Sequence, residues 1–387
     1  MLLVVLIILL SLLLLYYKSV HNLFHPVVLI LASWSLIIIL YVVLPHHFYS
    51  LGSRFCSCII LWVISFIFGT KLIDSTACRI KENKLANCQV VKIYWILACL
   101  STLLVAYDSI KIASNSEFFF LMLRSMNTGL DDNIQRDGSE ILGYLANILC
   151  VLYIYELMRP QEEYSKTRVG VLLGLSFLAA FVTMAKTNFF MILFSSLFIM
   201  HEKGVIKTKQ ILLSAVLFII FCIGLQTIRS FSQETVNPLE FLSSYLLSGS
   251  VAFDKMVVPE YYFDGRHVFR LLYAIVGAFN NTINVEPTIY EYQTVSLEGD
   301  MTNVYTCMYP FYVDYGFIGV IIGGIFIGAF SMFFFSRRKN SDPCMICYSI
   351  FSTFLVLGFL GDFIVTNASN SIQYIFYAFF PYLIKRK

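Results

Sequence analysis

Lengths of unbroken apolar sequence constrain this chain more than any other feature. A hydrocarbon core about 30 Å thick needs roughly 20 apolar residues wound as a helix. Such stretches recur from one terminus to the other, and about eleven can be drawn: 2–17, 26–44, 55–73, 92–108, 141–158, 169–185, 187–200, 210–228, 316–335, 345–362 and 370–384. Backbone polar groups in lipid must be satisfied within the segment, so stretches of this length are helices. With 58% hydrophobic and 13% charged residues, the composition excludes an ordinary soluble domain. The expected fold is an all-α polytopic integral membrane protein, one transmembrane domain over 1–387.

Charge orients the spans. Val169 to Met200 carries a single charge, Lys186. Basic residues flank this stretch on both sides: Lys166 and Arg168 before it, Lys203, Lys207 and Lys209 after it. Two crossings put both groups on one face, as the positive-inside rule favours, so the stretch reads as a hairpin with Lys186 at its turn. The same alternation holds along the whole chain and puts most of the 27 Lys and Arg on one face. It predicts an outside N-terminus and an inside C-terminus. No charged segment precedes the first span, which reads as an anchor rather than a cleavable signal. Two long connections are then external, 229–315 and 109–140.

The 229–315 loop is where chemistry is expected. Phe241–Leu247 and Val268–Val276 suit short helices in the membrane interface. Between them, Phe253 to His267 is dense in aromatics and charge. Aromatic rings stack on sugar faces and carboxylates bind hydroxyls; the same rings also serve as interfacial anchors. External cations run against the topology bias. Arg229, Arg266 and Arg270 lie in the loop, the last two spaced to share a helix face, and Lys186 stands at its hairpin turn. Arg forks grip phosphate oxygens, so these four are candidate pyrophosphate ligands; snorkelling or pairing with Asp254, Glu260 or Asp264 is the alternative. His267, Asp254 and Asp264 are candidate bases. Asp108, Glu156, Asp314 and Asp362 stand near span ends, where ionisable residues are functional candidates. Cys344 and Cys347 form a lone C-x-x-C pair without the further ligands a zinc site needs. No metal, cofactor or nucleic-acid partner is expected.

The run Thr302-Asn303-Val304-Tyr305, followed by Pro310-Phe311-Tyr312, Asp314-Tyr315-Gly316 and the glycine-rich span from Gly319 to Gly328, resembles the bacterial oligosaccharide repeat-unit polymerases, the O-antigen polymerases often called Wzy. The plan of many spans with a large late loop resembles that family too. Met184-Ala-Lys-Thr187 resembles a family turn that commonly carries Arg, with Lys186 in its place.

The resemblance implies a glycosyltransferase of the bacterial inner membrane with a periplasmic site. A glycan on undecaprenyl pyrophosphate would pass to the non-reducing end of a new lipid-linked repeat. Its implied partners are undecaprenyl-pyrophosphate-linked oligosaccharide, membrane lipid, and a chain-length regulator and flippase of the same pathway. Thr302, Asn303, Tyr305, Pro310, Asp314 and Gly316 carry the motif, of which Tyr305 and Asp314 are expected to be structural. An O-antigen ligase is the rival within this chemistry. A flippase is the rival outside it, and it predicts internal repeats and short loops on both faces.

Overall fold

The computed structural model describes residues 1–74, 85–116, 139–183, 186–207, 238–257, 263–280, 282–287 and 290–384, with a few isolated residues between. Arg229, most of the expected span 210–228 and most of the 109–140 loop lie outside the described residues.

The fold is all-α apart from one small ribbon. The helices are α1 Leu2–Val20, α2 Pro26–Val43, α3 Ser53–Asp74, α4 Cys88–Ser114, α5 Ser139–Met158, α6 Lys166–Thr183, α7 Lys186–Glu202, α8 Pro238–Lys255, α9 Arg270–Gly277, α10 Tyr309–Arg337, α11 Asp342–Val356 and α12 Ala368–Leu383. Among the described residues, seven helical segments are long and apolar enough to cross a membrane: α1, α2, α3, α4, α6, α10 and α11 with its continuation to Phe359. The chain is a polytopic membrane protein.

Local chemistry sets several helix ends. Asn87 accepts from the Gln89 amide at 2.9 Å and starts α4, an N-cap of the preferred kind. His25 accepts from Val27 N at 3.3 Å, with Pro26 at the first position of α2, where its missing N–H is not needed. Pro45 follows the end of α2 and disfavours further helix.

Two compact units are present. The first comprises Met1–Arg79, Thr235–Arg337 and Phe354–Ser371. Its centre is the pairing of α3 with α10, made close by glycine. A Cβ at Gly69 would strike the Ile325 carbonyl, and one at Gly328 the Phe66 carbonyl. Without a hydrophobic drive between helices in lipid, such close backbone contact is what holds them. Two connections that the charge alternation puts on the external face, 45–54 and 229–315, meet in this unit, and the large loop also meets the end of the expected span 345–362. Tyr49 N donates to Val295 O at 2.9 Å, and Cys307 N to Gly358 O at 2.7 Å. The large loop also contains an unforeseen two-stranded ribbon, Gln293–Thr294 against Met301–Thr302.

The loop's two expected short helices differ in kind. α9 has no buried residue and shows Leu272, Ile275 and Val276 outward, as an interfacial helix would. α8 is longer than Phe241–Leu247, and its second half, including Leu247, Val251 and Phe253, is buried. Ser248 and Ser250 in that half are buried too, so apolar periodicity alone understates the packed face.

The second unit comprises Ile80–Glu234, Arg338–Thr353 and Ile372–Lys387. Here α6 and α7 are separate helices, and the Phe177 and Phe189 rings meet at 5.8 Å across them, as a hairpin requires. The cations expected on one face gather at one end. Glu156, fully buried, pairs with Arg159 at 3.0 Å and Arg168 at 3.5 Å. Lys203 donates to the Leu157 and Arg159 carbonyls at the end of α5, where a cation complements the helix dipole. Arg338 pairs with Glu202 at 3.3 Å.

Candidate functional site

The motif residues build one structure within the first unit: a latch that holds the 261–268 segment against α10. Asp314 is fully buried. Its carboxylate accepts from His267 N at 3.1 Å, Val268 N at 2.9 Å and His267 Nδ1 at 2.8 Å. Two residues later Gly316 breaks the helix with φ 61° and ψ −144°, a conformation only glycine adopts cheaply. The break leaves the Asp314 carbonyl to accept from Phe263 N at 3.0 Å. A Cβ at Gly316 would lie 3.1 Å from the Tyr261 ring. Tyr315 fits against Gly265, which has φ 72° and no room for a Cβ. Each residue of Asp314-Tyr315-Gly316 thus contacts a different part of the same loop segment.

The upstream motif residues support this latch. Thr302 closes the ribbon with Gln293, and its Oγ1 accepts from Val304 N at 3.2 Å. Tyr305 donates to Glu291 O at 3.0 Å, and its ring lies 4.3 Å from that of Tyr309. Tyr290 lies 4.4 Å from Tyr309 and 5.8 Å from Tyr305, so the three rings form one cluster. Burial pushes the Tyr290 hydroxyl up to about 12, so it stays protonated at neutral pH. Pro310 occupies the first turn of α10. Asn303 is half-buried beside Val304.

His267 is buried, with its ring beside the Tyr290–Tyr309 pair, at 6.3 and 5.9 Å. A neutral ring whose Nδ1–H donates to Asp314 carries its lone pair on Nε2. Asp264 and Arg266 form a multiply bonded pair at the rim, with Nη2 to Oδ2 at 2.5 Å. Arg266 holds the Asp264 carboxyl below the usual carboxylate range by hydrogen bonding. Arg266 also reaches Glu286 at 3.3 Å, and Arg270 Nε donates to Glu286 O at 2.7 Å. The two arginines therefore do not share a helix face, because Arg266 precedes α9 and Arg270 begins it; residue 286 joins them instead. Glu286 had no local signal, since it lies in a polar stretch without periodicity. Asp254 is elsewhere. It accepts from Gly52 N at 2.8 Å and Phe55 N at 3.0 Å and pairs with Lys255 at 2.9 Å, tying the start of α3 to the end of α8. Lys186 begins α7, and its side chain lies outside the description.

Below the latch, α10 presents an apolar groove of 580 Å³. Ile318, Ile322 and Phe326 form its exposed ridge, Gly319 and Gly323 deepen it, and Phe263, Val268 and Phe269 of the loop border it. Residues 318, 322 and 326 share one helix face. An apolar chain in this groove would end against the segment that carries Arg266.

The O-antigen polymerase of Shigella dysenteriae is 25% identical to this chain over 304 residues, covering 76% of the chain and 69% of that protein. No family model matches the chain and no solved structure does. The chain is thus similar, along most of its length, to an O-antigen polymerase.

Proposed function

We propose that this protein is a surface-glycan polymerase of the bacterial inner membrane. It transfers a growing glycan from undecaprenyl pyrophosphate to the non-reducing end of a new lipid-linked repeat, at the periplasmic face. The observation that carries this is the apolar groove on α10 bordered by the latched segment with Arg266. A polyprenyl chain fits the groove, and its pyrophosphate would fall near the arginines. The similarity to a protein of that activity supports the same conclusion.

The chemistry needs charge neutralisation at the departing pyrophosphate. Arg266 supplies it by exchanging the Asp264 and Glu286 carboxylates for phosphate oxygens, and Arg270 by exchanging the Glu286 carbonyl. The exchange replaces one set of charge-assisted hydrogen bonds by another, and the Arg266 side chain, about a third exposed, is open to a ligand. His267 Nε2 takes the proton of the acceptor hydroxyl, with Asp314 holding the ring. The new glycosidic C–O bond forms as the anomeric bond to pyrophosphate breaks, and the electron pair leaves on the phosphate. Asp264 would act as base only once released by Arg266, and Asp254 only by giving up its amide partners at α3.

The test is complementation of a deletion in the producing strain, read as a lipopolysaccharide ladder. A deletion strain with core plus one repeat, returned to a ladder by wild type and not by Arg266→Ala, supports the proposal. Core with no repeat in the deletion strain would point to a ligase or flippase and defeat it.

A further inference from the structure

A second cleft lies in the first unit, with residues distinct from those of the groove and latch. It has a volume of 240 Å³ and is formed by the 45–48 connection, the first turns of α8 and the turn after Gln293–Thr294. That is about the space of eight liquid waters, the bulk of a sugar ring. We infer that it is a saccharide subsite for a neutral, hydroxyl-rich stretch of glycan. The inference rests on the polymerase reading for the identity of the glycan, but its chemistry stands on the cleft alone.

Three features carry it. First, the cleft has a fixed aromatic wall. The His46 and Phe48 rings stack at 5.3 Å and 15°. His46 cannot swing, because its Nε2 meets Tyr41 O at 2.8 Å and its Nδ1 accepts from Phe48 N at 3.3 Å. Phe241 stands opposite, stacked on Tyr245 at 6.1 Å and 22°. Flat apolar faces of this kind take the C–H face of a pyranose. Second, the polar lining suits hydroxyls. The Glu298 carboxylate accepts from vicinal diols, Asp300 adds an acceptor beside its bond from Ser296 at 2.8 Å, and the Ser244 hydroxyl both gives and accepts. Glu298 and His47 pair only loosely, at 3.7 Å with both side chains 64% exposed, so a diol displaces that contact easily. Third, the lining selects by charge. Its acids outnumber its cations, so a uronic acid would be repelled.

Motif and fold place the cleft away from the lipid groove. The ribbon that presents Glu298 and Asp300 is closed by Thr302, and it bonds to the 44–52 connection through Phe48 and Ser296. A glycan whose lipid end sits on α10 would have a second hold on its sugar end, which favours retention between transfers.

The experiment uses the full chain purified in lipid nanodiscs and saturation-transfer NMR. The probe is neutral oligosaccharide released by mild acid from the strain's own surface polymer, with trigalacturonate as the acidic control. Saturation of the neutral probe, absent for trigalacturonate, is expected. Glu298→Gln and Phe241→Ala, each melting like wild type, should weaken binding about tenfold, the loss of one charged hydrogen bond or one stacking face. In cells the same variants should move the ladder to shorter chains. Equal binding of trigalacturonate, or variants that bind as wild type does, would overturn the inference. A wild-type gene that restores no ladder would defeat the polymerase assignment alone, because the binding assay reads the cleft without it.

Discussion

At the scale of single residues, Asp314 ties the loop segment to α10 through both its side chain and its backbone. Its carboxylate serves three donors on His267 and Val268, and its carbonyl a fourth on Phe263. A buried donor left without a partner costs about 1–3 kcal/mol. Asp314→Ala is therefore expected to loosen the 263–268 segment, open it to limited proteolysis and reduce polymer at least tenfold at normal protein level; a full ladder would refute the latch. Gly316→Ala should cost about 1–2 kcal/mol from its left-handed backbone, with a further penalty against Tyr261. Adding Tyr261→Ala should remove only that second part, a non-additivity readable in detergent melts. Acid has a defined effect on the rim. The folded carboxyl of Asp264 lies below its ordinary value because Arg266 bonds it. Its contribution is therefore complete above the ordinary Asp range, about 3.9, and is lost as pH falls through the lowered value. Amide protection of 263–268 should hold from pH 8 to about 5; a loss above pH 5 would refute this account.

At the scale of elements, two interfaces hold for opposite reasons. The α3–α10 contact depends on missing side chains at Gly69, Gly324 and Gly328. Gly328→Leu should lower the melting temperature in detergent by several degrees, whereas substitution of Leu3, exposed on α1, should not. The end of α5 depends on charge. Removing Glu156 would take the anion from Arg168 and leave Arg159 with Glu163 alone; because both arginines reach solvent, the cost falls below the roughly 3–5 kcal/mol of a fully buried pair. Glu156→Ala should sharply reduce the folded fraction, and Glu156→Gln should recover part through the Trp95 hydrogen bond. The hairpin of α6 and α7 was legible from Lys186 and its basic flanks, because a bilayer sorts charge by side. The full length of α8 was not, because its serines pack where apolar periodicity predicts exposure.

At the scale of the whole molecule, the alternation of basic connections makes a labelling prediction. Leu297→Cys, at a site 89% exposed in the loop ribbon, should react with an impermeant thiol reagent added outside the inner membrane. Native Cys88, exposed at the start of α4, should react only after the membrane is opened. The reverse pattern would invert the orientation. The meeting of the 44–52 and 290–308 connections in one unit agrees with their expected common face.

What the sequence determined by itself was the solvent, the helices and the grouping of their ends. Apolar length and basic bias act locally and add along the chain, so they can be read without knowing any contact. The motif residues also prove to be contacts between α10 and the 263–268 segment. Tertiary structure alone decided what each ionisable group does. Asp314 finds His267 across 47 positions, Arg266 finds Glu286 across 20, and Asp254 is drawn to the start of α3 across about 200. A buried carboxylate goes to whichever donors the packed backbone brings within 3 Å, and no periodicity of the chain records which those are.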